Sequence, residues 1–469
     1  MNLIDHYIFS IVVFLPLVAA LFITLVPAKD TNSKLAISRF FAALIFLAFL
    51  RLFVLFMNLE VSSRTTLSLG IFNFNVTFTI FLTKHNILLY GAAALALLAH
   101  TLSHVFEDVK TNIHQVLPFL LTFFLYISFG QNDLRVALPV LSIANFFVYF
   151  LIGRTAKSKR GSTIFRMGIF LFSCDALILV LLQIPFSDNL SPALSAICNI
   201  ALLIPALSRL SVPMFAPFVK SLLRNVDDAE GPLLLIFLQF SGVLILDIVA
   251  TDLIEISSYL TLLISLVTVL GAYFVILQAI TDRRTDSLPY YFFIFYSSIG
   301  SSFLFINNSE TSWYFCLSLF LTNIACFFHA TRCAALVKNY RMQKIHHASS
   351  MALWFFTLTL LLGLPGLGNG VTLWPIVYRF IGFGLIDSSD PRAFFWLVIG
   401  IAWLLGLALL SFALVLSIRS LAPFRPPTEF LATLGQFPSL RFFMVETLVV
   451  VLLSWIIPLA TYFTANLGG

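Results

Sequence analysis

The sequence predicts an all-α integral membrane protein with about fourteen transmembrane helices, and three observations support this fold class. Of the 469 residues, 60% are hydrophobic and only 10% are charged, with a mean hydropathy of +1.01. A soluble globule has too little interior to bury so many apolar side chains. Apolar stretches recur from end to end, and the basic residues alternate between the loops that separate them.

Each apolar stretch is about 20 residues long, which is enough to cross the roughly 30 Å hydrocarbon core of a bilayer. The first stretch lacks a small-residue cleavage site and a second follows at once, so we expect it to be retained rather than removed as a signal peptide. The predicted spans are 8–27, 36–58, 85–103, 114–130, 134–153, 163–184, 190–212, 231–250, 256–281, 288–307, 311–337, 350–384, 393–418 and 442–465.

The distribution of basic residues predicts the orientation of the chain. Lys and Arg concentrate in segments that follow odd-numbered spans, such as 29–39, 154–166 and 332–344, whereas acids such as Asp188 dominate after even-numbered spans. The positive-inside rule then places the odd loops in the cytoplasm and both termini outside it. The short loops and regular alternation favour a bacterial inner membrane and leave an organelle membrane open.

Two of the predicted spans contain helix breaks. Span 12 is interrupted by Pro365, Gly366, Gly368 and Gly370, and span 7 contains Pro205 and Pro213. A break at membrane depth is tolerated only where the freed backbone groups are buried in protein or line a wet cavity. Transporters use broken helices of this kind at their ion and substrate sites.

The spacing of the two breaks predicts an inverted repeat. They lie five spans apart, so the two broken helices run in opposite directions, as an inverted repeat requires. Within a single polytopic membrane domain, we predict N-terminal helices 1–3 (1–113), repeat units of helices 4–8 (114–250) and 9–13 (256–418), and a C-terminal helix (442–469).

Several stretches resemble the antiporter-like membrane subunits of respiratory complex I. This family also includes the large subunits of multisubunit sodium/proton antiporters and the membrane subunit of a two-component inorganic-carbon transporter. The resemblance is most specific at Leu362–Val371 and extends to Tyr149–Gly153, Arg166–Gly168, Ser208–Pro217 and 282–300. It implies a proton-translocating subunit that acts with other subunits of a membrane complex.

The ionisable positions depart from the family's pattern. The resemblance implies a glutamate in span 5, lysines in spans 7 and 8, and a lysine or glutamate in span 12. These positions fall near Ser142, at Ser208 beside Arg209, near Ile245, and at Leu373. Serine and leucine do not titrate, and burial cannot make arginine do so near neutral pH. Either the relay uses other residues, or the chain is a scaffold that does not conduct.

The remaining charges within the spans are the candidate pathway residues. A charge at a helix centre costs roughly 2.5–3.5 kcal/mol on insertion scales, so a retained one usually has a partner or a task. Asp175 in span 6 either carries protons or pairs with Arg209. Asp247 in span 8 either joins a pathway or lies near the outer interface. His329 in span 11 is a candidate because an unperturbed imidazole changes charge near pH 7, and Glu446 in the last span is either a pathway residue or a packing contact.

The chain itself provides no recognisable catalytic site. Its five cysteines form no CxxC pair, and His100 with His104 is too small a set for a metal, so we predict no disulfide framework, metal or cofactor. No loop exceeds about 30 residues, which leaves no room for a soluble catalytic domain. At most, the chain is a subunit of a proton-translocating NADH-quinone oxidoreductase-like complex whose partners hold the redox chemistry.

Three functional hypotheses follow. The leading one is a proton- or cation-translocating membrane subunit of a complex I-like assembly. The second is the membrane subunit of a proton-driven bicarbonate or CO₂ transporter with a zinc hydrase-like partner, and the third is a scaffold that does not conduct. Partners are expected to dock on the cytoplasmic segments 219–231, 332–347 and 425–429.

Overall fold

The computed structural model describes most of the chain, and its helices divide between two compact units. The described residues contain fifteen helices and one β-hairpin. They are residues 3–27, 30–57, 64–71, 74–103, 112–155, 161–182, 192–216, 231–249, 258–282, 284–304, 310–360, 363, 368–386, 392–419 and 435–466.

The first unit contains eight helices and the hairpin. Within it, α1 packs against α2 and α4, α5 lies between α4 and α6, and α7 packs against α6 and α8. Its elements are α1 (Leu3–Leu25), α2 (Thr31–Met57), β1 (Arg64–Ile71), β2 (Phe74–Phe81), α3 (Lys84–Ser103), α4 (Asn112–Phe129), α5 (Leu134–Thr155), α6 (Gly161–Leu181), α7 (Pro192–Arg209) and α8 (Gly231–Ile248).

The second unit begins with the turns that follow α7 and contains seven helices. The longest of them, α11, packs against α10, α12, α13 and α15, so it is the central helix of this unit. The helices are α9 (Ser258–Asp282), α10 (Leu288–Leu304), α11 (Glu310–Met342), α12 (His346–Leu360), α13 (Asn369–Ile386), α14 (Ala393–Arg419) and α15 (Pro438–Asn466).

The apolar helices make the chain an integral membrane protein, which confirms the predicted fold class. In order, α1–α11 correspond to spans 1–11, α12 and α13 are the two parts of span 12, and α14 and α15 are the last two spans. The number of helices that cross the bilayer stays a prediction. Within the described residues, six helices are long and apolar enough to cross a membrane: Tyr7–Leu25, Asn32–Met57, Leu260–Asp282, Trp313–Met342, Ala393–Ser417 and Pro438–Tyr462.

The β-hairpin between α2 and α3 is an element that the sequence analysis did not predict. Its two strands pair antiparallel, with Arg64 opposite Phe81 and Ile71 opposite Phe74. The Phe81 N–H donates to the Gly130 carbonyl at 2.9 Å, which joins the hairpin to the turn between α4 and α5. The Asn86 side-chain amide then donates to the Phe81 carbonyl at 2.8 Å, so the hairpin is also tied to the start of α3.

The break in span 12 is present, and one of its backbone carbonyls, that of Gly363, is satisfied within the protein. Helix α12 ends at Leu360 and α13 begins at Asn369. Gly368 has φ 48°, a left-handed conformation that favours glycine. The Gly363 carbonyl accepts a hydrogen bond from the Trp374 indole at 2.6 Å. Gly370 is the second residue of α13 and therefore helical, whereas Pro365 and Gly366 lie outside the described residues.

The break in span 7 lies after Arg209 rather than at Pro205. Helix α7 continues through Pro205, whose carbonyl accepts the Ser208 hydroxyl at 2.8 Å. The chain then turns at Ser211, which has φ 65°. Pro213 lies in the following turns, where the Val212 carbonyl accepts the N–H of Ala216 at 2.8 Å. A proline within an α-helix removes one backbone hydrogen bond, and α7 tolerates that loss here.

Candidate functional site

The first unit contains a buried ion pair between α6 and α7. The Arg209 guanidinium Nη2 lies 2.5 Å from Asp175 Oδ1. Arg209 is fully buried, and Asp175 is 2% exposed. Two of the residues that the sequence analysis selected, 34 positions apart in the chain, are therefore direct partners.

Helix α5 supplies the remaining donors to the carboxylate. The Ser142 hydroxyl and the Asn145 amide each donate to Asp175 Oδ2 at 3.2 Å. Residues three apart on a helix share a face, which is why α5 presents both donors to α6. One carboxylate oxygen thus accepts the arginine and the other accepts two neutral donors.

The other candidates of the first unit lie outside this cluster. Ser208 directs its hydroxyl to the Pro205 carbonyl, and the same carbonyl accepts Arg209 Nη1 at 3.4 Å. Asp247 is half-buried in the last turn of α8. The position of Asp247 at a helix end agrees with the second interpretation of this residue, a location near an interface.

The pair is a carboxylate–cation contact, and it lies beside positions where the family resemblance implies ionisable residues. Ser142, where the resemblance implies a glutamate, donates to a carboxylate on the neighbouring helix. Arg209 follows Ser208, where the resemblance implies a lysine. Because arginine stays protonated in proteins, Asp175 is the member of this pair that can change its charge.

The second unit contains a separate titratable cluster between α11 and α15. His329 is fully buried, and its Nδ1 lies 3.5 Å from Glu446 Oε1. The same carboxylate oxygen accepts Arg332 Nη1 at 3.1 Å. Glu446 therefore lies against both His329 and Arg332, which are three residues apart on α11.

The hydrogen bonds of Thr447 favour one tautomer of His329. A threonine hydroxyl has one proton to donate. The Thr447 hydroxyl donates to the Phe443 carbonyl at 2.7 Å, and the same oxygen lies 2.7 Å from His329 Nε2. With that hydroxyl donated to Phe443, the contact is satisfied when Nε2 carries a proton and donates it to Thr447, while Nδ1 faces Glu446.

The break in span 12 is flanked by neutral polar side chains. The Asn323 amide on α11 donates to the Phe293 carbonyl at 2.9 Å and to the Ser297 hydroxyl at 3.2 Å. Asn369, the first residue of α13, donates to Asn323 Oδ1 at 3.3 Å. None of these groups titrates near pH 7. Leu373, where the resemblance implies a lysine or glutamate, is buried and apolar.

Sequence reasoning missed three polar residues that complete these clusters. Asn145 could have been found from its i, i+3 spacing with Ser142. Thr447 and Asn369 carry no comparable signal, because their roles depend on which helix each one faces.

The five cysteines are free and buried. Among the residues that the structure describes, no group of three or more His, Cys, Asp or Glu residues could hold a metal ion.

These features define a polytopic membrane protein with a buried ion pair directly before one helix break and a neutral polar network beside another. The sequence matches no protein-family model and no curated protein. Its fold is nevertheless similar to that of known structures.

Two similar structures are chains of respiratory complex I from Thermus thermophilus, one with bound NADH and one with bound aureothin. The first aligns with a TM-score of 0.67 at 14% identity and the second with 0.65 at 15% identity. Each alignment covers 98% of this chain and 100% of the other chain.

A third similar structure is a chain of the membrane-bound sulfane sulfur reductase, an archaeal respiratory membrane complex. It aligns with a TM-score of 0.67 at 11% identity over 98% of this chain and 97% of that chain. At these identities the likeness establishes the fold, which is shared over nearly the whole length.

Proposed function

We propose that this chain is a proton- or cation-translocating membrane subunit of a multisubunit, complex I-like assembly. The likeness to chains of two respiratory complexes over 98% of its length supports membership of such an assembly. The observation that carries the transport function is the buried Asp175–Arg209 pair, which lies directly before the break in span 7.

The pair can act as a two-state element. In the paired state, Arg209 neutralises the Asp175 carboxylate. That carboxylate also accepts hydrogen bonds from Ser142 and Asn145. A proton that reaches Asp175 leaves Arg209 as an uncompensated buried charge, which costs about 3–5 kcal/mol. Protonation and the position of Arg209 are therefore coupled. Because Arg209 is the last residue of α7, that coupling acts on the break itself.

A scaffold that does not conduct is the second candidate function, and a specific observation favours it. Serines occupy the positions near Ser142 and at Ser208 where the resemblance implies titrating groups, and Leu373 is apolar. The network of Asn323 and Asn369 is neutral as well. A subunit could keep this fold for assembly while a neighbouring subunit carries the ions.

A flux measurement separates the two functions. The natively purified complex is reconstituted into vesicles, and proton entry under an imposed gradient is followed with an internal pH-sensitive dye. We expect Asp175→Asn and Arg209→Gln to reduce the flux about tenfold or more, because each variant removes one partner of a buried pair. Asp286→Asn, in an exposed turn between α9 and α10, is the matched control. Equal flux in all four proteins would support the scaffold.

Native purification also tests the kind of assembly. Flavin and iron–sulfur subunits among the co-purified proteins would support a complex I-like assembly, whereas a large zinc protein would support inorganic-carbon transport.

We propose that the partners dock on the cytoplasmic loops. Of these, segment 332–347 lies within the described residues and exposes Lys338, Arg341 and Lys344. Segments 219–230 and 425–429 lie outside them. A bacterial inner membrane is the proposed location.

A further inference from the structure

A cavity of about 210 Å³ lies between α11, α13 and α15 of the second unit. Tyr314 and Phe315 line it from α11, Val371 from α13, and Trp455, Leu459 and Tyr462 from α15. Thr461 also lines it, but its hydroxyl already donates to the Pro458 carbonyl at 2.8 Å. The lining is almost entirely apolar, which suits an apolar occupant.

The cavity runs along the direction of a lipid chain. Tyr462 lies four residues before the end of α15, about 6 Å from that end, whereas Trp455 lies about 16 Å from it, near the middle of a 30 Å core. Trp455, Leu459 and Tyr462 are about half exposed, so the cavity opens on the outer surface of the unit. Tyrosines near helix ends suit the membrane interface.

A cation lies at the interfacial side of this cavity. The Arg379 guanidinium on α13 lies 4.9 Å from the centroid of the Phe315 ring, which lines the cavity. Arg379 is eight residues beyond Val371, about 12 Å closer to the end of α13. Among the side chains that the structure describes, no carboxylate pairs with it. An arginine within a span is costly unless it reaches the interface and an anion.

We propose that this cavity binds an anionic phospholipid, with one acyl chain between α11, α13 and α15 and the headgroup phosphate on Arg379. Arginine binds phosphate with paired, charge-assisted hydrogen bonds. The volume lies below the roughly 300–1,000 Å³ of pockets that enclose drug-sized ligands. The site lies in the second unit and is independent of the Asp175–Arg209 pair.

Lipid retention tests this proposal without a transport assay. The full-length protein is stripped of lipid in detergent and titrated with phosphatidylglycerol, and the bound lipid is counted by native mass spectrometry. Arg379→Gln removes the cation, and Leu459→Trp fills the cavity. The matched controls are Arg341→Gln, an exposed arginine near the other end of α11, and Leu409→Trp, an exposed leucine on α14.

We expect one tightly held phosphatidylglycerol in the unmodified protein and in both controls. Its affinity should fall about tenfold or more in Arg379→Gln, equivalent to 1.4 kcal/mol, and in Leu459→Trp. The uncharged lipid diacylglycerol should bind the unmodified protein as weakly as phosphatidylglycerol binds Arg379→Gln. Equal retention in all variants, or a quinone retained in place of the phospholipid, would overturn the proposal. A fluorescence melting curve for each variant confirms that it is folded.

Discussion

At the scale of single residues, Arg209 in the first unit needs a compensating partner, because it is a positively charged side chain that is fully buried. Asp175 neutralises it. We predict that Arg209→Met or Asp175→Asn lowers the free energy of unfolding by about 3 kcal/mol, because each leaves the other partner without its compensating contact. Unfolding in mixed micelles by an SDS titration measures this change.

The double variant Asp175→Asn with Arg209→Met should lose less stability than the sum of the two single variants, because it leaves no unpaired charge. Ser142→Ala is the control for a single neutral donor and should cost about 1 kcal/mol. If the losses of the single variants simply add, the two side chains do not stabilise each other and the pair has no coupling.

His329 offers a second test at this scale. Because Thr447 donates to the Phe443 carbonyl, we predict that neutral His329 carries its proton on Nε2. Solid-state ¹⁵N NMR of protein labelled at histidine and reconstituted in lipid distinguishes the two tautomers. In Thr447→Val this preference should weaken, since the acceptor is gone. A dominant Nδ1–H form in the unmodified protein would contradict the assignment.

Sequence reasoning identified the charged residues of both clusters and could not identify most of their neutral partners. Asp175, Arg209 and His329 stand out because a charge or an imidazole is rare in an apolar span. Ser142 and Asp175 lie 33 positions apart, and their contact depends on which faces of α5 and α6 meet. Nothing in the apolar pattern of either helix specifies those faces.

At the scale of elements, the break between α12 and α13 depends on a close approach to α10. A Cβ added at Gly363 would lie 2.7 Å from the hydroxyl oxygen of Tyr296. That oxygen is buried and has no hydrogen-bond partner among the described residues. We predict that Gly363→Ala lowers the free energy of unfolding by about 2 kcal/mol through overpacking, measured by the same SDS titration.

The matched rescue is Tyr296→Phe. This change removes the clashing oxygen and gives up no hydrogen bond to the described residues. Alone it should leave stability unchanged or slightly higher, and in combination with Gly363→Ala it should restore most of the loss. A double variant as unstable as Gly363→Ala would show that the strain lies in the backbone of the break rather than against α10.

The helices were predictable and the hairpin was missed, and both outcomes have one physical cause. The bilayer thickness sets the length of an apolar helix, so the spans can be recognised from hydropathy alone. Strands β1 and β2 lie in a segment that hydropathy classifies only as a loop. Their alternation of polar and apolar residues, as in Asn75-Val76-Thr77-Phe78, was the available signal.

At the scale of the whole molecule, the orientation in the membrane follows from charge alone and can be tested. The positive-inside rule places the turn between α4 and α5 outside the cytoplasm and the turn between α11 and α12 inside it. Asn132 and Gln343 are exposed residues of these two turns. All five native cysteines are buried, so an introduced cysteine should be the only one that reacts rapidly with a membrane-impermeant maleimide.

We predict that Asn132→Cys reacts in right-side-out vesicles and Gln343→Cys only in inverted ones, while the unmodified protein reacts in neither. An odd number of spans separates the two turns in our prediction, so the opposite sidedness tests the span count as well as the orientation. Reaction of both cysteines from the same side would mean that an even number of spans separates the two turns. If the miscounted span lies between spans 7 and 12, the two broken helices run in the same direction and the predicted inverted repeat fails.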